Sequence, residues 1–114
     1  MYYKNLEVWK KSIELVKEVY VITKSYPNDE KFGIVSQMRR AAVSIPSNIA
    51  EGATRYSDKD SSRFIDIAIG SIAELETQLI ISKELGFVGE IDTLMERIKQ
   101  INALALGLKN FYEK

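Results

Sequence analysis

Apolar residues recur at steps of three and four in four separate runs of this chain, and no stretch sustains the two-residue alternation of a strand. Leu6, Trp9, Ile13, Val16 and Tyr20 form the first run, and Val35, Met38, Ala42, Ile45 and Ile49 the second. The third carries Phe64, Ile67, Ala68, Ser71, Leu75 and Leu79, and the fourth Ile91, Leu94, Ile98, Ile101, Ala105, Leu108 and Tyr112. Between them stand short breakers. Pro27 disfavours helical geometry at Tyr26, Ser57 or Asp58 offers an N-cap, and Gly86 suits a helix C-terminus. Asn5 is the expected N-cap of the first run. Helices of some twenty residues, each about 30 Å long and joined by short turns, predict an all-α protein. The expected architecture is an up-down-up-down four-helix bundle in one domain, residues 1–114.

The segment SIPSNIAEG, Ser44 to Gly52, sets Pro46 inside the second run without disturbing its phase. Proline leaves the Ala42 carbonyl without its usual donor and crowds it, which costs about 3 kcal/mol in an ordinary helix interior. The unbroken stripe predicts one continuous, kinked helix rather than two joined by a loop.

Composition narrows the chemistry. With no cysteine, thiol chemistry and disulfides are absent. With no histidine, the commonest general base and metal ligand are missing, so neither a Ser-His-Asp arrangement nor a His-bearing metal site can form. No basic leader precedes an apolar segment, and no apolar run approaches membrane-spanning length, so a cytoplasmic location is expected. Sixteen basic residues offset sixteen acidic ones, leaving no overall field to attract a polyanion. Neither a cofactor nor a bound metal is expected.

Two helices carry apolar residues off their main stripes: Ile65, Ile69, Ala73 and Ile80 on the third, and Val8, Leu15, Val19 and Ile22 on the first. Such second faces imply a buried contact between copies of the chain. On the second helix, Arg40, Ser44, Ser47 and Glu51 fall in one outward polar strip, with Asn48 and Arg55 at its edge. This strip reads equally as a solvated face or a contact surface, with small residues at Ala41, Ser44, Ser47, Ala50 and Gly52 permitting close helix approach. Gly70 reads as another such place. Glu74 and Glu76 lie about 200° apart on their helix and cannot bind one ion from one face; ion pairs with Arg39, Arg40 or Arg63 are expected of them. Lys10, Lys17 and Lys24 recur every seven residues along one flank, where they either solvate the bundle or, with Arg40 and Arg55, track phosphates.

QMRRAAVSIPSNIAEG (Gln37 to Gly52) and FIDIAIGSIAELETQL (Phe64 to Leu79) closely resemble the four-helix-bundle proteins encoded by intervening sequences within bacterial 23S ribosomal RNA genes. Trp9 and Phe32-Gly33 extend the likeness over almost the whole chain. The accessory variability protein of diversity-generating retroelements is similar as well. The resemblance implies signature positions at Arg39, Arg40, Ser44, Pro46, Asn48, Glu51, Gly70, Ser71, Glu74 and Glu76. It further implies a homo-oligomer, with the pentameric ring of the retroelement protein as its expected form, and RNA or a reverse-transcriptase-like protein as partner. The retroelement proteins are strongly basic and this chain is not, with a pI near 6.3. A non-enzymatic accessory or scaffold protein in weak contact with RNA is the expectation. A protein-partner scaffold without RNA, and a metal-dependent hydrolase using Glu51 with Glu74 or Glu76, are the alternatives.

Overall fold

The computed structural model describes residues 2–114 and consists of four helices: α1 (Glu7–Thr23), α2 (Ile34–Ala53), α3 (Asp58–Glu84) and α4 (Asp92–Tyr112). Single 3₁₀ turns at Tyr3–Asn5 and Asn28–Glu30 lead into α1 and α2. Among the described residues, α1 packs on α2, α2 on α3, α3 on α4 and α4 on α1, while the diagonal pairs are not neighbours. The helices therefore stand at the corners of a square in chain order. The α1–α2 and α3–α4 connections lie at one end, where the rings of Tyr26 and Phe87 are 5.8 Å apart. This is the up-down-up-down bundle. At 27 residues α3 is about 40 Å long, which accounts for most of the 44 Å long axis.

Local chemistry sets the helix ends. The Ser57 hydroxyl accepts a hydrogen bond from the Asp60 N–H at 3.1 Å and caps α3. At the other end Gly86 takes φ +77°, with Phe87 N–H bonded to the Ser82 carbonyl and Gly86 N–H to the Lys83 carbonyl. That paired closure needs a left-handed residue, which glycine adopts without steric cost. Asn5 does not cap α1. It belongs to the preceding 3₁₀ turn, and Leu6 occupies the cap position without a side-chain bond. Helix α2 runs unbroken through a buried Pro46.

The core stripes of α2 and α4 follow the sequence pattern, from Val35 to Ile49 and from Ile91 to Tyr112, with Leu108 only partly buried. Those of α1 and α3 are corrected. On α1 the buried face is Val8, Ser12, Leu15, Val19 and Thr23, whereas Trp9, Ile13 and Val16 are half-buried and Tyr20 is exposed. Two polar residues sit on that buried line. Ser12 donates to the Trp9 carbonyl and Thr23 to the Val19 carbonyl, both at 2.7 Å, so their hydroxyls are satisfied within the helix. On α3, Ile65 is fully buried and belongs to the core rather than to a second face, while Ile67 is exposed.

Glycine marks close packing at one place only of the two expected. A methyl group at Gly52 would lie 3.0 Å from both the Ser61 carbonyl oxygen and the Ile65 side chain, so α2 meets the start of α3 there at close quarters. At Gly70 it would meet nothing within 4 Å, so no helix of the same chain approaches that position. Opposite effects are expected. Gly52→Ala should lower stability by about 1 kcal/mol through overpacking. Gly70→Ala should raise it by about 0.5–1 kcal/mol through helix propensity. Urea midpoints of the two variants check this, and shifts of the same sign would contradict the packing described.

The Tyr26 hydroxyl is buried and makes no well-formed hydrogen bond among the described residues; burial pushes its pKa up, and the nearby Ser82 hydroxyl offsets this only in part. The fold thus favours neutral tyrosine. This contribution is fully present below the unfolded pKa of about 10 and is lost as pH rises through the higher folded value. Tyr26→Phe should match or exceed the parent stability at pH near 8 and gain a further margin above pH of about 10. Chemical denaturation at both pH values measures the margin, which must widen with alkali.

Candidate functional site

The expected polar strip of α2 is outward only in part. Arg40, Ser47 and Glu51 are exposed, but Ser44 and Asn48 are half-buried against α3. The Ser71 hydroxyl of α3 donates to Ser44 Oγ at 2.8 Å, and Asn48 Nδ2 donates to both Ser44 Oγ (2.9 Å) and the Ser44 carbonyl (2.8 Å). Ser71 thus ties α3 to α2 at Ser44, and Asn48 bonds back to Ser44 across Pro46, each residue about half a turn from the proline. Glu51 pairs with Arg55 on its own segment at 3.0 Å. Arg55 and Arg63 in turn stack over the Phe64 ring, at 5.4 and 4.5 Å.

The ion pairs expected of Glu74 and Glu76 do not form. Arg63 meets Asp60 at 3.7 Å, and Arg39 turns to α1. Glu74 is exposed beside Arg40 in an open hollow over α2 and α3, without an ion pair between them. Glu76 lies half-buried in a groove between α3 and α4, together with Asp92, Glu96 and Lys99. Glu51, Glu74 and Glu76 thus stand in three different surroundings. Among the described residues no three His, Cys, Asp or Glu side chains gather as a metal-binding group.

A cationic hollow of about 570 Å3 opens between α1 and α2, with Tyr20, Phe32 and Val43 for its apolar part and Lys31, Arg39 and Arg40 for its charges. No carboxylate lines it. Arg39 is half-buried and held in place: Nε donates to Thr23 Oγ1 at 3.0 Å, and Nη2 reaches the Tyr20 carbonyl at 3.4 Å. Its guanidinium lies 4.5 Å from the Tyr20 ring centre. Phe32 stands 89% exposed, with Lys31 Nζ 5.6 Å from its ring. Sequence reasoning placed Tyr20 in the core and did not join Lys31 or Phe32 to Arg40. The available signal was local, KF at 31–32 just before α2 and RR at 39–40 within it, eight residues on.

Lys10, Lys17 and Lys24 are all exposed on α1, and Lys17 is paired with Glu14 at 3.2 Å. Of the residues marked for phosphate contact, only Arg40 enters the hollow, and Arg55 is committed to Glu51. The second face of α3 survives in reduced form. Ala73 and Ile80 are exposed, Ile69 is half-buried against the core, and Ile67 and Ile81 add to the outward apolar surface. On α1, Val8, Leu15 and Val19 form the core itself and Ile22 packs against it, so the apolar surface left facing outward is the other stripe, Trp9, Ile13, Val16 and Tyr20.

The model of the 23S rRNA-intervening sequence proteins matches residues 4–107. The chain belongs to that family. The matched span of this intervening-sequence family member contains every signature position and the whole cationic hollow. The fold is also that of a crystallised Bacteroides thetaiotaomicron protein of unknown function from the S23 ribosomal protein family. The two share 24% identity at a TM-score of 0.67 over 92% of this chain and 94% of that one. None of the curated proteins matches. Neither description names a reaction. No helix among the described residues is long and apolar enough to cross a membrane.

The Ser44–Ser71 bond joins elements 27 residues apart and stands half out of solvent. Ser71→Ala and Ser44→Ala should each cost about 1 kcal/mol, and the double variant less than their sum, with a coupling of about 0.5 kcal/mol or more. A double-mutant cycle by urea denaturation measures it; strict additivity would show that the two hydroxyls do not act together.

Proposed function

We propose that this intervening-sequence family member is a non-enzymatic, self-associating helical scaffold that works in contact with RNA. The observation that carries self-association is the outer surface of α3. Its inner face already fills a complete core with Ile65, Ala68, Ile72, Leu75 and Leu79. Ile80 and Ile81 nevertheless stand 46% and 43% exposed on the same helix, beside exposed Ala73 and with Ile67 on the preceding turns. Burying such a surface between copies stabilises an assembly by about 25 cal/mol per Å2 of apolar area. Gly70 fits the same reading, because a neighbouring copy can approach where this chain does not. A closed ring is the natural assembly for identical subunits joined head to tail, and a pentamer is the ring size the retroelement resemblance implies.

The RNA part of the proposal is supported by the cations of the α1–α2 hollow, which no carboxylate lines. The chain has no net charge, so contact with RNA is local and weak. Arg39, Arg40, Glu51, Glu74 and Glu76 serve here as surface and seam residues rather than as a reaction centre.

Size-exclusion chromatography with light scattering tests the scaffold directly. The parent chain should elute as a defined multiple of 13.0 kDa, with excess 260 nm absorbance that ribonuclease or high salt removes. Ile80→Glu and Ile81→Glu should each shift the mass to that of the monomer while far-ultraviolet ellipticity stays unchanged. These exposed positions are sharper probes than Ile69, which also packs against the core. A monomeric parent chain would overturn the self-association.

A further inference from the structure

The geometry points to the α1–α2 hollow as a docking site for unpaired nucleotides of single-stranded RNA, with phosphates on Lys31, Arg39 and Arg40 and a base stacked on Phe32. This inference rests on the RNA contact proposed above and assigns it a place and a chemistry. Three features of the hollow demand an anion with a flat apolar part.

The first is a local surplus of positive charge. Three cations line the hollow and no carboxylate does; Glu74 stands in the adjoining hollow that Arg40 also lines, without an ion pair between them. The second is Arg39. Half-buried guanidinium groups normally meet a carboxylate, yet Arg39 bonds only to neutral oxygens of Thr23 and Tyr20. Those bonds use Nε and Nη2 and hold the planar group against the Tyr20 ring, leaving other N–H donors in the hollow free for a phosphate. The third is Phe32. Its ring is 89% exposed beside Lys31, contributes nothing to the core, and presents an open face of the kind on which bases stack. A paired base inside a duplex cannot reach such a ring, which is why the site selects a single strand. A second copy presenting this same hollow would set three cations against three, so the hollow itself is not a two-fold contact.

Fluorescence anisotropy of the full chain with a labelled single strand of about 12 uridines provides the test, since site sizes of this order are usual. Neutralising three phosphates of a single strand gives a slope of about −2 in log affinity against log salt. Arg40→Gln should flatten that slope by about 0.7, and Phe32→Ala should weaken binding about tenfold at constant salt. Both residues are exposed, so the fold is retained. A variant with Lys10, Lys17 and Lys24 all changed to Gln should bind as the parent does. If the parent binds RNA but the hollow variants match it, or the lysine variant loses binding instead, the site is overturned while RNA contact stands. A parent chain that binds no RNA overturns both. Equal affinity for a duplex of the same length removes the stacking role. Competition by polyglutamate at equal charge, or a loss of oligomer mass in Arg40→Gln, would make the hollow a protein contact and overturn the assignment.

Discussion

At Gly52 the backbone of α2 comes so near α3 that a single methyl group would press on the Ser61 carbonyl. This approach governs how the two middle helices lie together, and the outer pair is attached to them. Higher along the same seam Ser71 bonds Ser44, and Ser82 Oγ reaches Met38 Sδ at 3.6 Å. Helix α1 then docks on α2 through its Val8-to-Thr23 face, with Arg39 bonded to Thr23. Helix α4 docks on α3 and is tied to it by Lys109–Asp66 at 2.9 Å and by Ser62 to Glu113 at 2.9 Å. Small side chains on α2 are therefore a condition of the bundle, and Pro46, buried in the middle of them, lies between the Ser44–Ser71 bond and the close approach at Gly52.

The number and order of the helices and both ends of α3 were legible because each depends on neighbours in the chain: periodic spacing, Ser57 as a cap, Gly86 as a left-handed stop; the start of α1, where Asn5 does not cap, was not. Which face of α1 turns inward was not. Trp9, Ile13, Val16 and Tyr20 make an apolar stripe as regular as the true one, and the true one runs through Ser12 and Thr23. A hydroxyl that bonds its own helix backbone can be buried at little cost, and a reading that counts apolar side chains alone misses it. Ile65 was misplaced for a related reason: α3 is apolar over so broad an arc that the pattern cannot tell which side meets two neighbours.

Candidate surfaces were legible to a smaller degree. Signature residues Ser44, Asn48 and Ser71 were recognised as important, yet their work is to join two helices, and only the fold brings residues 44 and 71 within a hydrogen bond. The cationic hollow needs Tyr20 from α1 beside Arg39 from α2, a pairing that composition and spacing along either helix cannot reveal. Total charge concealed it further, because a sum of zero says nothing of where the two signs lie.

Two local surpluses, one of each sign, lie on opposite sides. In a square of helices taken in chain order, the α1–α2 hollow with its unopposed cations is across the bundle from the α3–α4 groove, where Glu76, Asp92 and Glu96 outnumber Lys99. Between them these two clusters give the subunit a dipole component across its long axis. In the field of a polyanion it feels no net pull but does feel a torque, which turns the cationic side forward before contact. Orientation is therefore selected during approach, and added copies bring no accumulating charge to repel the next.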